Sequence, residues 1–155
     1  MTREQQLEHR LAMLKLTIAD NPLFELSRLE LDRPGPHYSL DTLKLLTAQE
    51  PEADIILLIG GDSLHDLPTW RLPSELVTSV HLIGVMRRPG DSVNLTTLEE
   101  SIPGLTEKVR FIDTLLQDIS SSEIRRRAAN GEPYRYYIPS SVYQYIVQNN
   151  LYHSS

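Results

Sequence analysis

The sequence contains an uninterrupted run of apolar residues at positions 55–59, and this run constrains the fold more than any other feature. Its residues do not alternate with polar ones, which is typical of a β-strand that is covered on both faces in a parallel sheet. Gly60, Gly61 and Asp62 follow directly and end the predicted strand. We therefore expect residues 55–59 to form an inner strand of an α/β protein.

Two further strands are predicted, at residues 80–86 and 109–112, and a helix at residues 74–79 leads into the first of them. Strands that alternate with helices indicate a three-layer α/β fold with a mainly parallel sheet. Ligands of such sheets bind beyond the carboxyl ends of the strands, so the loops that follow the three strands should share one crevice. These loops start at Gly60, Arg87 and Asp113.

Apolar residues at spacings of three and four predict helices around these strands. The first helix ends before Asn21-Pro22, and Ser39 caps the second. Ser120 and Glu123 fit a capping box at the start of another helix, which ends before Gly131. The apolar stripes are Leu7, Leu11, Leu14 and Ile18, then Leu40, Leu43 and Leu46, and in a last helix Ile138, Val142 and Ile146.

The segment between the first two helices has a less regular pattern. Phe24 and Leu26 alternate with polar residues, and Leu29 and Leu31 then alternate in the opposite phase. This change of phase predicts a strand with a bulge near Ser27-Arg28.

Length and composition limit the class of protein. The chain has 155 residues, 40% of them hydrophobic, so we expect one domain over residues 1–155, with residues 119–155 as its C-terminal helical part. The 15 basic and 21 acidic residues give a net charge of -6, which disfavours nucleic acid and anionic lipid as partners. No run is long enough to span a bilayer and the N-terminus lacks a secretory signal, so a cytoplasmic protein is expected.

Several candidate binding residues follow the predicted strands. Gly60 lets a ligand approach the backbone and Asp62 suits ribose hydroxyls, although a tight turn with Asp62 capping the next helix is the simpler interpretation. Trp70, the only tryptophan, can stack on a flat heteroaromatic ring or pack in the core. Arg87 and Arg88 can hold phosphate, although a solvated basic turn is the simpler interpretation there.

A stronger indication of an anion site lies in residues 118–125. Ser120 and Ser122 place hydroxyls at a helix N-terminus, where backbone N–H groups are free, and Arg125 follows one turn later. The alternative is an ordinary capping box before a charged helix face. Three consecutive arginines in an acidic protein favour a phosphate ligand.

Cysteine and histidine usage bears on metal binding. The absence of cysteine excludes disulfides, thiol nucleophiles and thiolate metal sites. The five histidines show no metal-ligand spacing, so no transition-metal site is expected. Each histidine is interpreted as a surface or packing residue.

Five segments form an ordered set that extends over almost the whole chain. They are RPGPHYSLDTL (33–43), IGGDS (59–63), LPTW (67–70), RPG (88–90) and ISSSEIR (119–125), followed by YYIP (136–139) and NLY (150–152). In this order they resemble bacterial nicotinate-nucleotide adenylyltransferase. The resemblance implies a Rossmann-like nucleotidyltransferase fold. It also implies that ATP and nicotinate mononucleotide react to give deamido-NAD and pyrophosphate in NAD biosynthesis, with Mg²⁺ accompanying ATP.

The resemblance implies roles for particular residues. Trp70 would stack on the nicotinate ring, while the helix start from Ser39 to Thr42 and the backbone near Arg71 would hold its carboxylate. Arg88 would contact phosphate or substrate. The remaining implied contacts are to ATP: Gly60 and Asp62 at the ribose, and Ser120, Ser122 and Arg125 at the phosphates.

The chain departs from the family in one respect. The family segments Gly-Gly-Thr/Ser-Phe-Asp-Pro-x-His-x-Gly-His and Pro-Pro-His-Lys are not found in these residues, so no catalytic residue is assigned. The absent histidines would stabilise the transferring phosphate, and such a donor is typically worth about 2.7–4 kcal/mol.

Three interpretations of this departure remain. We favour a truncated chain or a misassigned start over a naturally degenerate member or a chain completed by a separate partner. The alternative function is a non-catalytic nucleotide-binding or interaction module. A sheet without its first strand would expose unpaired edges, so a poorly stable chain or a homo-oligomer is expected.

Overall fold

The structure, a computed structural model, describes residues 2–87, 93–113 and 119–152. They fall into two compact units, which we call the helical unit (Met1–Ser27 and Gln117–Ser155) and the sheet unit (Arg28–Leu116). The single domain expected over residues 1–155 stays a prediction. Within the part of the chain that is described, no helix is both long enough and apolar enough to cross a membrane.

Helices and strands alternate along the sheet unit, as the sequence predicts. In chain order the elements are α1 (Arg3–Ile18), α2 (Ser39–Gln49), β1 (Ile56–Gly60), α3 (Gly61–Asp66), α4 (Pro73–Ser79), β2 (Leu82–Met86), α5 (Leu95–Ser101), α6 (Leu105–Lys108), β3 (Val109–Ile112), α7 (Ser121–Ala129) and α8 (Ser140–Gln148), with short 3₁₀ turns at Leu67–Thr69 and Arg135–Tyr137.

The three strands form a parallel sheet in the order β1-β2-β3. Gly60 pairs in register with Met86, and Met86 with Ile112, so the three carboxyl ends lie side by side. The α/β class and the parallel sheet are therefore confirmed. The short helices α5 and α6 were not predicted, because four to seven residues carry too little periodicity to detect.

One face of the sheet is buried and the other is largely exposed. The register places Ile59, Ile83 and Val85 on the buried face, where they are at most 7% exposed. The opposite face carries Leu58 and Ile112, which are 58% and 38% exposed. The expectation that β1 is covered on both faces is therefore wrong for these residues, because an uninterrupted apolar run does not itself show what packs against each face.

The core of the sheet unit consists of aliphatic side chains from the strands and the surrounding helices. These side chains exclude water almost completely, which is the main source of stability of such a unit. Its fully buried members include Leu40, Leu64, Leu67, Leu76, Ile83, Val85, Ile102 and Leu105.

The helical unit has its own apolar core, to which α7 and α8 contribute Ile124, Val142 and Ile146. Leu11 of α1 is buried as predicted, but Leu14 is 50% exposed. Met13 and Leu16 pack on the core instead. The predicted stripe is thus wrong at Leu14, because the packing of α1 against α8 decides which side chains are covered.

The backbone conformation at the C-terminal end of α7 explains why a glycine follows this helix. Gly131 has φ +68°, the left-handed region that favours glycine. Its N–H is donated to the carbonyl of Ala128, and the N–H of Glu132 to the carbonyl of Arg127. This pair of bonds is a Schellman motif, which confirms the predicted helix end.

The strand predicted over residues 24–31 does not form. Phe24 is 62% exposed and its N–H is donated to the carbonyl of Asn21, while Leu31 donates to the carbonyl of Arg28. These are turn hydrogen bonds. Alternation favours a strand only where a neighbouring strand supplies ladder partners, and the described sheet consists of β1, β2 and β3 without this segment.

Candidate functional site

In the sheet unit, a cavity of about 230 Å³ lies beside the start of α2. Three residues that the sequence analysis singled out, Ser39, Trp70 and Arg71, line it together with Tyr38. Its volume is below the roughly 300–1,000 Å³ of sites that enclose a whole drug-sized ligand, so it suits one ring of a larger ligand.

Trp70 has both a packing and a lining role. Its backbone N–H is donated to the carbonyl of Leu67 over 3.0 Å, which closes the 3₁₀ turn before it. The half-buried indole packs against the core of the sheet unit and also forms part of the cavity wall. The two interpretations of Trp70 are thus compatible, because one part of the ring is covered by aliphatic side chains and another faces the cavity.

Arg71 is held in place at the cavity by an aromatic ring and a carboxylate. Its guanidinium carbon lies 4.6 Å from the centre of the Tyr38 ring, a cation–π distance. Its Nη1 lies 3.5 Å from Oδ2 of Asp41, which is also 3.7 Å from Nη1 of Arg33. Two arginines therefore share one carboxylate.

The N-terminus of α2 also faces this region. Tyr38 is the N-cap residue and makes no side-chain cap, and its carbonyl accepts the N–H groups of Asp41 and Thr42. Among the described residues, the N–H groups of Ser39 and Leu40 have no hydrogen-bond partner. Free N–H groups at a helix start attract anions. Ser39 is thus the first helical residue rather than the predicted cap.

Thr42 does not lie where it was expected, among the residues that would hold the nicotinate carboxylate. Its N–H is committed to Tyr38, and its hydroxyl donates to Glu30 over 2.8 Å and accepts from Nη2 of Arg33 over 3.1 Å. It is absent from the described cavity lining, so it supports the loop before α2 and its proposed substrate contact stays a prediction.

Gly60 and Asp62 lie at the carboxyl end of β1. Gly60 is the N-cap residue of α3, and Asp62 is exposed in the first turn of that helix. Asp62 does not cap α3, so the turn interpretation is wrong in that detail. A Cβ atom at Gly60 would meet no described atom within 4 Å, which leaves room for a ligand against the backbone.

The residues directly after β2 and β3, Arg87 and Asp113, lie at the same edge of the sheet. Nη2 of Arg87 lies 3.4 Å from Oδ1 of Asp113, and its guanidinium lies 4.4 Å from the centre of the Phe111 ring. Arg87 is thus partly neutralised within the crevice predicted there. Arg88, the predicted phosphate contact, lies outside the described residues, as do Pro89 and Gly90.

In the helical unit, Ser120 caps α7 as predicted. Its Oγ accepts the N–H of Glu123 over 3.1 Å. The capping box is only half formed, however, because the carboxylate of Glu123 accepts hydrogen bonds from Arg126 and Arg127. These bonds lower the pKa of Glu123 to about 2, with Arg126 contributing most.

The three consecutive arginines do not form one cationic cluster. Arg126 binds Glu123 and Glu132 with four contacts of 2.6–2.9 Å, and Arg127 binds Glu123 over 2.8 Å. Arg125 has only a weak contact, 3.4 Å from its Nη2 to Oγ of Ser122. The argument from three clustered arginines is therefore wrong, and only Arg125 stays available for an anion.

Arg125 and Ser120 also line different cavities of the helical unit. Ser120 lines one of about 430 Å³ with Glu123, Arg127 and Tyr137. Arg125 lines one of about 370 Å³ with residues of α1. Of the three predicted phosphate contacts, the fold thus groups Ser122 with Arg125 and separates Ser120 from them.

Tyr38, His37 and His9 line cavities, although the sequence analysis gave them no binding role. An aromatic residue directly before a helix start was the available signal for Tyr38. His9 offered none, because its Nδ1 lies 2.9 Å from the hydroxyl of Tyr145, which is distant in sequence. Among residues 2–87, 93–113 and 119–152, no group of three or more His, Asp or Glu is placed to hold a metal ion.

Comparisons with known proteins agree with the fold. The cytidylyltransferase-like family matches residues 4–127. Probable nicotinate-nucleotide adenylyltransferase of Roseiflexus sp. (strain RS-1) is 45% identical over 145 residues, which are 94% of this chain and 72% of that protein. The namesake protein of Thermomicrobium roseum is 42% identical over 146 residues, which are 94% and 68% of the two chains.

A solved structure supports the same architecture. Plasmodium falciparum nicotinic acid mononucleotide adenylyltransferase complexed with NaAD superimposes with a TM-score of 0.69 at 22% identity. The match covers 94% of this chain and 73% of that chain. At this identity the similarity concerns the fold.

Proposed function

On the basis of its family, we propose which residues of this chain bind each of the two substrates. The chain belongs to the cytidylyltransferase-like family and, within it, to the nicotinate-nucleotide adenylyltransferases. The reaction is adenylyl transfer from ATP to nicotinate mononucleotide, a step of NAD biosynthesis. The observation that carries the proposal is the cavity beside α2, with an aromatic wall, an arginine and free N–H groups.

This cavity receives the nicotinate ring. Trp70 supplies a flat surface for stacking, and Arg71 and the N–H groups of Ser39 and Leu40 attract the ring carboxylate. A carboxamide has no net charge to match these groups. The acid form of the mononucleotide is therefore preferred over the amide form.

The ATP contacts are proposed on the family resemblance. Gly60 and Asp62 contact the adenosine ribose, where the free space next to the Gly60 backbone admits a ligand. Ser122 and Arg125 bind the phosphates, and Ser120 acts through the helix start because its hydroxyl is committed to the cap. Arg88 is proposed as a further phosphate contact on the family resemblance alone.

Magnesium would be bound together with ATP and would neutralise phosphate charge. The protein residues supply binding and alignment.

The reaction is a direct displacement. An oxygen of the mononucleotide phosphate forms a bond to the α-phosphorus of ATP, and the bond from that phosphorus to the oxygen bridging to the β-phosphate breaks. Pyrophosphate leaves and deamido-NAD remains. Catalysis therefore rests on holding the two phosphates in line and on neutralising their charge, without a covalent enzyme intermediate.

The division of the site is tested with Trp70→Ala and Arg125→Gln. We expect Trp70→Ala to weaken nicotinate mononucleotide binding by about 5- to 150-fold, because stacking on an aromatic ring is worth roughly 1–3 kcal/mol, with little effect on ATP. Arg125→Gln should show the opposite bias. Calorimetric titration of each variant with each substrate gives the four affinities.

Trp70→Phe is the matched control, because a smaller aromatic ring keeps part of the stacking surface, and it should lose less affinity than Trp70→Ala. Trp70 is the only tryptophan, so its fluorescence in the unsubstituted protein reports mononucleotide binding directly. Equal losses of both substrates in both variants, or equal affinity for the acid and amide mononucleotides, would contradict the proposal.

A further inference from the structure

We propose that the cavity on α1 in the helical unit binds the phosphate chain of ATP, with Arg10 as a phosphate-binding residue beside Arg125. The inference rests on the proposed function and adds a residue to it. The cavity measures about 370 Å³, within the range of roughly 300–1,000 Å³ typical of ligand sites. Its lining consists of Gln6, His9, Arg10, Arg125, Leu151 and Tyr152.

The charge of this cavity is the first argument. Among the described residues, neither Arg10 nor Arg125 lies within ion-pair distance of a carboxylate, whereas Arg126 and Arg127 are both paired with glutamate. Two unpaired guanidinium groups that face one cavity repel each other, and an anion between them removes that repulsion. In a protein of net charge -6, such a site selects a strongly anionic ligand.

The chemistry of the donors is the second argument. Each guanidinium presents a planar fork of N–H donors that matches two phosphate oxygens. Gln6 lies four residues before Arg10 on the same face of α1 and adds an amide donor. Of the substrate groups, the triphosphate of ATP carries the largest negative charge, so it matches these donors best.

Contacts between α1 and α8 hold the backbone that surrounds the cavity in place. Nδ1 of His9 lies 2.9 Å from the hydroxyl of Tyr145, and the two rings meet edge to face with their centres 5.8 Å apart. The hydroxyl of Ser141 donates to the carbonyl of Leu16. Leu151 is buried under the site. The backbone that carries Arg10 is therefore held in place, so ligand binding orders only the side chain.

The experiment compares Arg10→Gln with Lys15→Gln. Both remove one positive charge from α1, but Lys15 does not line the cavity. Calorimetry measures the affinities for MgATP, inorganic tripolyphosphate and nicotinate mononucleotide, and circular dichroism checks folding. Arg10→Gln should weaken MgATP and tripolyphosphate binding by about 10- to 100-fold, as expected for a charged hydrogen bond. Lys15→Gln should change them less than about twofold, because an exposed charge outside the site is screened.

The outcomes separate this inference from the proposed function. If the unsubstituted protein binds MgATP and Arg10→Gln binds it equally well, or if Lys15→Gln loses as much affinity, the inference is overturned and the function stands. Binding of tripolyphosphate but not MgATP would mean that the cavity does not receive ATP, which overturns both the inference and the proposed function. If the unsubstituted protein binds neither anion, both fail.

Discussion

The buried hydroxyl of Tyr134 is a polar group that lowers the stability of the folded protein. Its side chain is 6% exposed in the core of the helical unit, and its hydroxyl has no hydrogen-bond partner among the described residues. Burial, and to a lesser extent the neighbouring Tyr143, raises the pKa of this phenol. A buried hydroxyl without a partner loses its hydration and gains nothing in return.

We therefore expect Tyr134→Phe to leave the free energy of unfolding unchanged or to raise it by up to about 1 kcal/mol. Tyr145→Phe is the matched control, because the Tyr145 hydroxyl does have a partner, His9, and its loss should cost about 0.5–1.5 kcal/mol. Urea denaturation of the three proteins gives both values. A clear destabilisation by Tyr134→Phe would mean that its hydroxyl has a partner in solution.

At the scale of elements, α7 is stabilised by ion pairs between its own residues and by the turn that follows it. Glu123 accepts from Arg126 and Arg127, and Arg126 also binds Glu132 beyond the helix end. The carboxylate near the N-terminus of the helix and the arginines near its C-terminus also complement the helix dipole. The charges of this element therefore serve its folding as well as the anion site.

The lowered pKa of Glu123 predicts a pH dependence. Because its folded pKa is about 2 and its ordinary value 4.5, the carboxylate contributes stability above pH 4.5 that is lost as the pH falls towards 2. Glu123→Gln should therefore flatten the fall in unfolding free energy between about pH 5 and pH 2.5. Denaturant titrations at several pH values measure this slope.

Glu52→Gln is the control for Glu123→Gln, since Glu52 is exposed and makes no ion pair among the described residues. It should leave the slope as in the unsubstituted protein. An equal flattening by Glu52→Gln would assign the pH dependence to net charge rather than to the ion pairs of α7.

The Schellman motif after α7 gives a second prediction for this element. Gly131→Ala places a Cβ atom at φ +68° and should lower the free energy of unfolding by roughly 1–2 kcal/mol. Gly60→Ala is the control, because Gly60 has φ -82° and open space at its Cβ position. It should lower stability little. Thermal unfolding compares the two, and a similar loss in both would contradict the role of the left-handed backbone.

At the scale of the whole molecule, the apolar sheet face is the feature most relevant to association. Ile56 and Leu58 of β1 are 53% and 58% exposed, and Met86 of β2 is 41% exposed on the same face. Among the described strands, β1 pairs only with β2 and so presents an open edge. Exposed edges and apolar patches promote association between chains.

We expect the chain to self-associate at concentrations of about 10–100 μM and Leu58→Lys to reduce that association, because the charged group opposes burial of the face. Val147→Lys changes a side chain of similar exposure, 49%, on α8 and should have a smaller effect. Sedimentation velocity over a concentration series measures both. A monomer at every concentration would contradict the prediction.

The sequence by itself determined the elements whose signals are local. The apolar runs predicted the three strands to within two residues, and the hydroxyl of Ser120 and Gly131 marked the ends of α7. The ordered motifs also indicated the family, because they lie in short contiguous segments. These features depend on backbone preferences and hydrogen bonds within a few residues, so they can be read without knowing the fold.

Only the tertiary structure decided which segments and side chains meet. Residues 24–31 alternate like a strand but do not belong to the described sheet, and the exposed face of β1 cannot be told from its buried face in an apolar run. Arg10 and Arg125 share a cavity although they are far apart in sequence, whereas Arg125 and Arg126, adjacent in sequence, have different partners. Strand pairing, burial and charge neutralisation are long-range interactions, so they follow from the packing of elements rather than from local pattern.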